Sequence, residues 1–413
     1  MREQEICKIT LRSLHAKVFY IQGIFTIFFF SFSPYLSIIG KSNEIIGLVS
    51  IISYCVIFGS ILIILLSNVR FNKKWFLSIL LFLAIFIFYL LRGITNPIAG
   101  IRGSIIETSL IVILFLFFKA EQIQISEQEK KNLLNLLIVC ALINTIVSIY
   151  QIYTFDGNFK NLYISNHDYS EFNLIRNGRL RAIGLMDSAT ILSSYLISPI
   201  AVCFAVFLRQ KSILQRKTLL YTFLFVILFI GLYLTGSRIP LFSICISMAV
   251  AWLYKKTRLS VNIVFIDIIA LILIFAILIL SAGFTDESGL ARLQYYMQFF
   301  ELLKINPLGY GIGYAQYPYG ITGWDISLAT IGLNYGIIGL SIYFTLFIRE
   351  LFYLSRKVKE QLSENAALKL IILNSWFINA FFVNIFSVNN LMILVVIIFV
   401  LNSNFTEKRR NNQ

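Results

Sequence analysis

The feature that most constrains this chain is a series of about twelve long apolar runs set apart by short polar connections. They run from Val18 to Ile39, Ile45 to Leu66, Trp75 to Leu91, Ile105 to Phe118, Leu133 to Tyr153, Ala189 to Leu208, Leu219 to Leu234, Pro240 to Tyr254, Val261 to Ser281, Ile326 to Ile348, Leu368 to Phe386 and Leu391 to Leu401. A hydrocarbon core of about 30 Å is crossed by roughly 20 apolar residues in helical form. With 58% hydrophobic and only 13% charged residues, the chain has lipid as its main solvent. The expected fold is all-α: one polytopic membrane domain over 1–413. The first run is too long for the apolar part of a signal peptide and no small-residue cleavage site follows, so it is expected to remain as an anchor. The five cysteines fall in the amino-terminal tail or in spans, with no metal-like spacing, so neither a disulfide framework nor a metal site is expected.

Orientation follows from lysine and arginine placement. With the amino terminus inside, Arg70, Lys73, Lys74, Arg209, Lys211, Arg216, Lys255, Lys256, Arg258, Arg356, Lys357 and Lys408 are cytoplasmic. All loops together then carry 25 basic residues inside and 10 outside, with both termini inside. The net charge of +15 is thus mainly a topology signal spread over many short turns. Nucleic-acid binding, the usual reading of such a charge in a soluble domain, is set aside.

The basic residues left outside are selective. Arg92, Arg102, Arg176, Arg179, Arg181, Arg238 and Arg292 stand there against only Lys41, Lys160 and Lys304, whereas lysine outnumbers arginine on the inside. The outer side therefore selects the planar, bidentate guanidinium fork rather than positive charge in general. That fork suits phosphate or pyrophosphate. The alternative is contact with lipid headgroups or with outward acids such as Asp156, Asp168, Glu171 and Asp187.

Two outward regions, 154–188 and 282–325, are long enough to fold, and both are expected to carry short helices. In the second, Thr285-Asp286-Glu287-Ser288 offers capping side chains ahead of Gly289 to Lys304, where Leu290, Leu293, Met297 and Phe300 recur at helical spacing. Asn306-Pro307 then ends the helix. Glycines at 309, 311, 313, 320 and 323 open the backbone among Tyr310, Tyr314, Tyr317 and Tyr319. These rings read either as an interfacial aromatic belt or as platforms that stack on sugar faces.

Leu234-Thr235-Gly236-Ser237-Arg238 entering a span, Arg292, Asn306-Pro307-Leu308-Gly309-Tyr310-Gly311-Ile312-Gly313, and Gly336-Ile337-Ile338-Gly339-Leu340 in a later span follow one another in order. Ahead of them stands Arg181-Ala182-Ile183-Gly184-Leu185-Met186-Asp187. Across about 176–345 this series resembles the bacterial O-antigen ligase and polymerase superfamily, and most a Wzy-type O-antigen or capsular polysaccharide polymerase. The resemblance implies a GT-C-type membrane glycosyltransferase that joins glycans carried on undecaprenyl pyrophosphate at the outer face of the bacterial plasma membrane. It further implies no cofactor or metal, and a flippase and chain-length regulator of the same pathway as partners alongside membrane lipids. The ligase branch typically carries a histidine followed by asparagine just before the Gly-Ile-Ile-Gly span. This chain has Asp325-Ile326 there, and Asn334 where a glutamate is usual. The missing histidine favours the polymerase branch.

Glycan transfer from a polyprenyl pyrophosphate requires stabilising the charge that develops on the leaving pyrophosphate. Arg181, Arg238 and Arg292 are the expected catalytic cations, with Arg102, Arg176, Arg179, Tyr310, Tyr314 and Tyr317 binding substrate. Asp325 reads either as general base for the attacking hydroxyl or as helix N-cap. Glu107 and Asp267 lie inside spans, where a proton relay or structural pairing accounts for an acid. Asn374, Asn379, Asn384, Asn389 and Asn390 read as hydrogen-bonding residues between helices. A ligase and a lipid-linked oligosaccharide flippase are the rival readings. A transporter would place substrate groups at the midplane among broken helices and related halves, whereas here the arginines fall in outer loops and no halves repeat.

Overall fold

In a computed structural model of the chain, the described residues are 126–153, 175–176, 179–186, 188–209, 216–257, 262–282, 287–311, 326–360 and 365–383, with helical positions scattered through 17–32 and 84–93. They form α1 (Glu127–Tyr153), β1 (Ile175–Arg176), β2 (Arg179–Leu180), α2 (Ala189–Arg209), α3 (Arg216–Leu234), α4 (Arg238–Thr257), α5 (Ile263–Ala282), α6 (Glu287–Ile305), α7 (Ser327–Lys359) and α8 (Ala366–Ala380). The described residues are thus helical apart from one two-residue ladder. Among the described residues four helices, α1, α2, α4 and α7, are long and apolar enough to cross a membrane, and three shorter apolar stretches lie in α3, α5 and α8. The expected spans at 45–66, 105–118 and 391–401 lie outside the described residues.

The helix ends follow local chemistry. At the start of α1, Ser126 and Glu129 exchange bonds: the Ser126 amide donates to Glu129 Oε2 (2.9 Å) and the Glu129 amide to Ser126 Oγ (3.2 Å). This capping box satisfies two donors that the helix itself leaves open. At the ends of α2 and α4, Lys255 Nζ reaches the Leu208 carbonyl (2.6 Å), binding the last turn of α4 to that of α2. A cation there complements the negative end of the helix dipole.

In the first outer region, where short helices were expected, the described residues instead form an antiparallel ladder pairing Ile175 with Leu180 and Arg176 with Arg179. The intervening sequence Asn177-Gly178 is the strongest short hairpin signal, because both residues tolerate positive φ.

Burial is arranged for lipid. Every residue of α8 is buried, and the helix packs against α2, α4 and α7. A helix buried on every side lies at the centre of its bundle. The peripheral helices instead turn apolar stripes outward: Val139, Ile143, Ile146 and Tyr150 on α1, and Leu219, Phe223, Val226 and Ile230 on α3. Water-soluble monomers rarely expose such areas. Where α1 crosses α3, Gly231 lets Thr145 approach so closely that a Cβ would lie 2.5 Å from Thr145 Oγ1. Small residues at helix crossings allow that approach.

Two of the five asparagines expected to bond between helices do so. Asn374 Nδ2 donates to Ser247 Oγ (3.1 Å) and Asn379 Nδ2 to Ser243 Oγ (2.7 Å), joining α8 to α4. Bonds of this kind contribute about 0.6 kcal/mol each. Asp267 is fully buried in α5. Its carboxylate oxygens make no hydrogen bond of ordinary geometry among the described residues, although Asn374 of α8 lies close enough to act on it. Glu107, Asn384, Asn389 and Asn390 lie outside the described residues.

Candidate functional site

The helix starts of α2 and α4 lie at one end of the bundle, and the turn Thr235-Gly236-Ser237 between α3 and α4 is where the upstream arginine arrives. Ala182 donates its amide to the Leu234 carbonyl (3.0 Å), adding the 181–186 segment to the end of α3. Arg181 Nε then donates to the Thr235 carbonyl (2.9 Å) and its Nη2 to Ser237 Oγ (2.9 Å). The turn is held by its own side chains as well: Thr235 Oγ1 donates to the Leu232 carbonyl (2.7 Å) and accepts from the Ser237 amide (3.2 Å). Ser237 Oγ also reaches the Ala189 carbonyl at the start of α2 (3.4 Å).

Arg238 is the next residue, the first of α4, and is exposed. The first turn of α4 contains no acidic residue. The Arg181 guanidinium is thus bound beside the helix start that carries Arg238, and that start itself carries about half a positive charge from its aligned peptide dipoles. Positive charge at such a start is an arrangement suited to phosphate.

The second element of the site is an interruption in α7. Gly336 lies inside that helix with φ 62° and ψ −158°, a conformation open in practice only to glycine. The 307–311 backbone occupies the gap. Tyr310 donates its amide to the Leu333 carbonyl (2.7 Å), Gly311 to Asn334 (3.0 Å), and Ile337 to Pro307 (2.8 Å). The peptide groups released by the break are therefore answered by another stretch of main chain, which is what irregular backbone in a membrane bundle requires. The approach is tight on both sides: a Cβ on Gly309 would lie 2.8 Å from the Asn334 oxygen, and one on Gly336 would strike Pro307 and Leu308.

A third contribution comes from the amino-terminal part of the chain. Arg92 Nη2 donates to Asn306 Oδ1 (2.9 Å), Gly93 packs on Gly311, and the Tyr89 ring meets Tyr335 edge-on at 5.4 Å. The helical segment at 84–93 thus braces both the loop and the interrupted helix.

The other expected site residues are distributed as follows. Arg292 lies on α6, with its side chain outside the described residues. α6 packs against α5 and α7, and α7 in turn packs against α4, so α7 joins the element carrying Arg292 to the one carrying Arg238. Arg176 and Arg179 pair across the ladder, and their side chains too are outside the described set. Asp325, Arg102, Tyr314 and Tyr317 lie outside it altogether. The N-cap position of α7 falls on Ile326 rather than Asp325, one residue past the expected place. The hydroxyl of Tyr310 donates to the Leu302 carbonyl (3.0 Å), a bond within its own helix and loop.

The sequence reading also missed residues. Gln151 and Asn144 of α1 hold the backbone just after Arg181. Their signal was present as a polar stripe, Asn144, Ser148 and Gln151, at helical spacing on one face of an otherwise apolar span. Arg92 stood among the outward arginines, but nothing in the sequence tied it to Asn306.

Comparison with known proteins bears on the same elements. Residues 223–344 match the family model described as O-antigen ligase, a stretch running from within α3 past the interruption of α7. No curated protein and no solved structure matches the chain.

Proposed function

We propose that this membrane protein, whose resemblance to the O-antigen ligase and polymerase superfamily is supported over 223–344, polymerises undecaprenyl-pyrophosphate-linked oligosaccharide repeats into O-antigen or capsular polysaccharide at the outer face of the bacterial plasma membrane. The reading rests above all on Arg181 being bound to the turn that ends in Arg238. That contact brings the Arg181 fork to the helix start whose first residue is Arg238, the chemistry suited to a leaving pyrophosphate.

In the proposed reaction a sugar hydroxyl of one lipid-linked glycan attacks the anomeric carbon of another. The new glycosidic bond forms as the bond to pyrophosphate breaks, and negative charge grows on the pyrophosphate. Arg181, Arg238 and Arg292 stabilise that charge, and preorganised donors of this kind are each worth about 10²–10³ in rate. Asp325 takes the proton of the attacking hydroxyl. Arg102, Arg176 and Arg179 bind the diphosphate of the second lipid carrier, while Tyr314 and Tyr317 stack on sugar rings. Tyr310 offers a sugar its ring rather than its hydroxyl, which Leu302 holds.

The transporter reading takes support from one feature, the interrupted helix. Against it, the carbonyls of Leu333 and Asn334 at the break accept from Tyr310 and Gly311 of the chain itself. In a transporter, such groups serve the cargo.

The test is a polysaccharide gel from a deletion strain complemented with the Arg238→Ala and Arg292→Ala variants. Both variants should abolish long-chain polymer while the protein still inserts and single lipid-linked repeats accumulate. Unchanged chain-length ladders in both would reject the assignment. Loss of every ligated glycan would identify a ligase, and retention of intermediates on the cytoplasmic side a flippase.

A further inference from the structure

Just after Arg181, three consecutive residues are gripped by side-chain amides of α1. Gln151 is 5% exposed. Its Oε1 accepts from the amides of Ile183 (3.2 Å) and Gly184 (2.9 Å), while its Nε2 donates to the Gly184 carbonyl (2.7 Å). Two turns earlier, Asn144 is fully buried. Its Oδ1 accepts from the Leu185 amide (2.9 Å), and its Nδ2 donates to the carbonyls of Cys140 (3.1 Å) and Ser31 (3.2 Å). The grip leaves no room for adjustment: a Cβ on Gly184 would lie 2.9 Å from Asn144 Oδ1. Ile183 and Gly184 are held on α1, Ala182 is held on α3, and Arg181 is delivered to Thr235 and Ser237. Each step fixes the backbone of the next.

We propose that Gln151 is a positioning residue for Arg181. It lies outside the family-matched segment and belongs to a different helix from any arginine of the site. It acts by fixing the main chain from which the Arg181 fork reaches the Arg238 turn. The inference rests on the functional reading above only for its effect on rate; the positioning itself is a matter of geometry. A rival account is that Gln151 merely satisfies the peptide groups of an irregular segment inside the bundle. That role stabilises the whole fold and is indifferent to where the Arg181 guanidinium sits.

Two measurements on the full-length protein in proteoliposomes separate these accounts. The first needs no activity. Phenylglyoxal modification of Arg181, followed by peptide mass spectrometry, should be several-fold faster in Gln151→Met than in the parent. It should be unchanged in Asn374→Leu, which removes a buried amide elsewhere in the bundle. Equal modification rates in Gln151→Met and the parent would overturn the proposal, as would an equal rise in Asn374→Leu.

The second measurement is the transfer rate on lipid-linked repeats. Gln151→Met and Arg181→Lys should each lower kcat by about tenfold, and the double variant should fall no further than the worse single one, because residues acting as a unit are not additive. Independent, multiplying losses would overturn the proposal. If modification of Arg181 speeds up in Gln151→Met but Arg181→Lys transfers at the parental rate, the positioning stands and the pyrophosphate role of Arg181 fails.

Discussion

Arg181 makes two bonds in two directions, from Nε to a carbonyl and from Nη2 to a hydroxyl, and only a planar fork can make both at once. A lysine keeps the charge but offers one ammonium point. Arg181→Lys should therefore lose at least one charge-assisted bond, about 1.5–3 kcal/mol, or roughly tenfold or more in transfer rate. A rate assay on membranes matched for protein content would check this, and a parental rate would mean that charge alone suffices. At this scale the sequence disclosed residue types better than contacts. The excess of arginine over lysine outside marked Arg181 and Arg238, yet nothing local says that a side chain from 181 ends on a turn at 235–237. Gln151 was harder still, because a glutamine inside an apolar run reads as an ordinary interhelical bond until its partner is seen.

Among the elements, α7 was legible as a span and illegible as two pieces. Gly336 and Gly339 stood only as part of the Gly-Ile-Ile-Gly element of a span, and a helical period does not register one residue at φ 62°. The break exists because the 307–311 backbone competes successfully for peptide groups that α7 would otherwise use itself. Gly336→Ala should thus be severe. Its Cβ enters the space of Pro307 and Leu308, and backbone strain alone costs of order 1–3 kcal/mol. The expected result is a lower thermal inactivation midpoint in detergent and loss of polymer, with Ile338→Ala on the exposed side of the same helix close to parental. Equal behaviour of the two variants would remove the break from any account of the site. The ladder at 175–180 carried a plain signal in Asn177-Gly178, one overlooked because the region was read for charge rather than for turns.

For the whole molecule, hydrophobic run length determined the class and the limits of most helices, because burial in lipid is written residue by residue. Which helix meets which is not written that way. The centrality of α8 and the reach of α1 across to the 183–185 backbone arise from packing between segments far apart in sequence. The proposed orientation can be tested at this scale. With the five native cysteines replaced, a cysteine at Ser170→Cys should react with an impermeant maleimide in intact spheroplasts, and one at Ser212→Cys only after permeabilisation. The opposite pattern would invert the protein and place its arginine turn in the cytoplasm. The seat of the 307–311 loop on α7 has a wider consequence, since both partners contribute main-chain atoms. A joint made from amides and carbonyls asks for glycine where two chains touch and for little else, so neighbouring side chains can be exchanged without loosening it. One scaffold can in this way be retailored to ligands of different shape while its frame stays rigid.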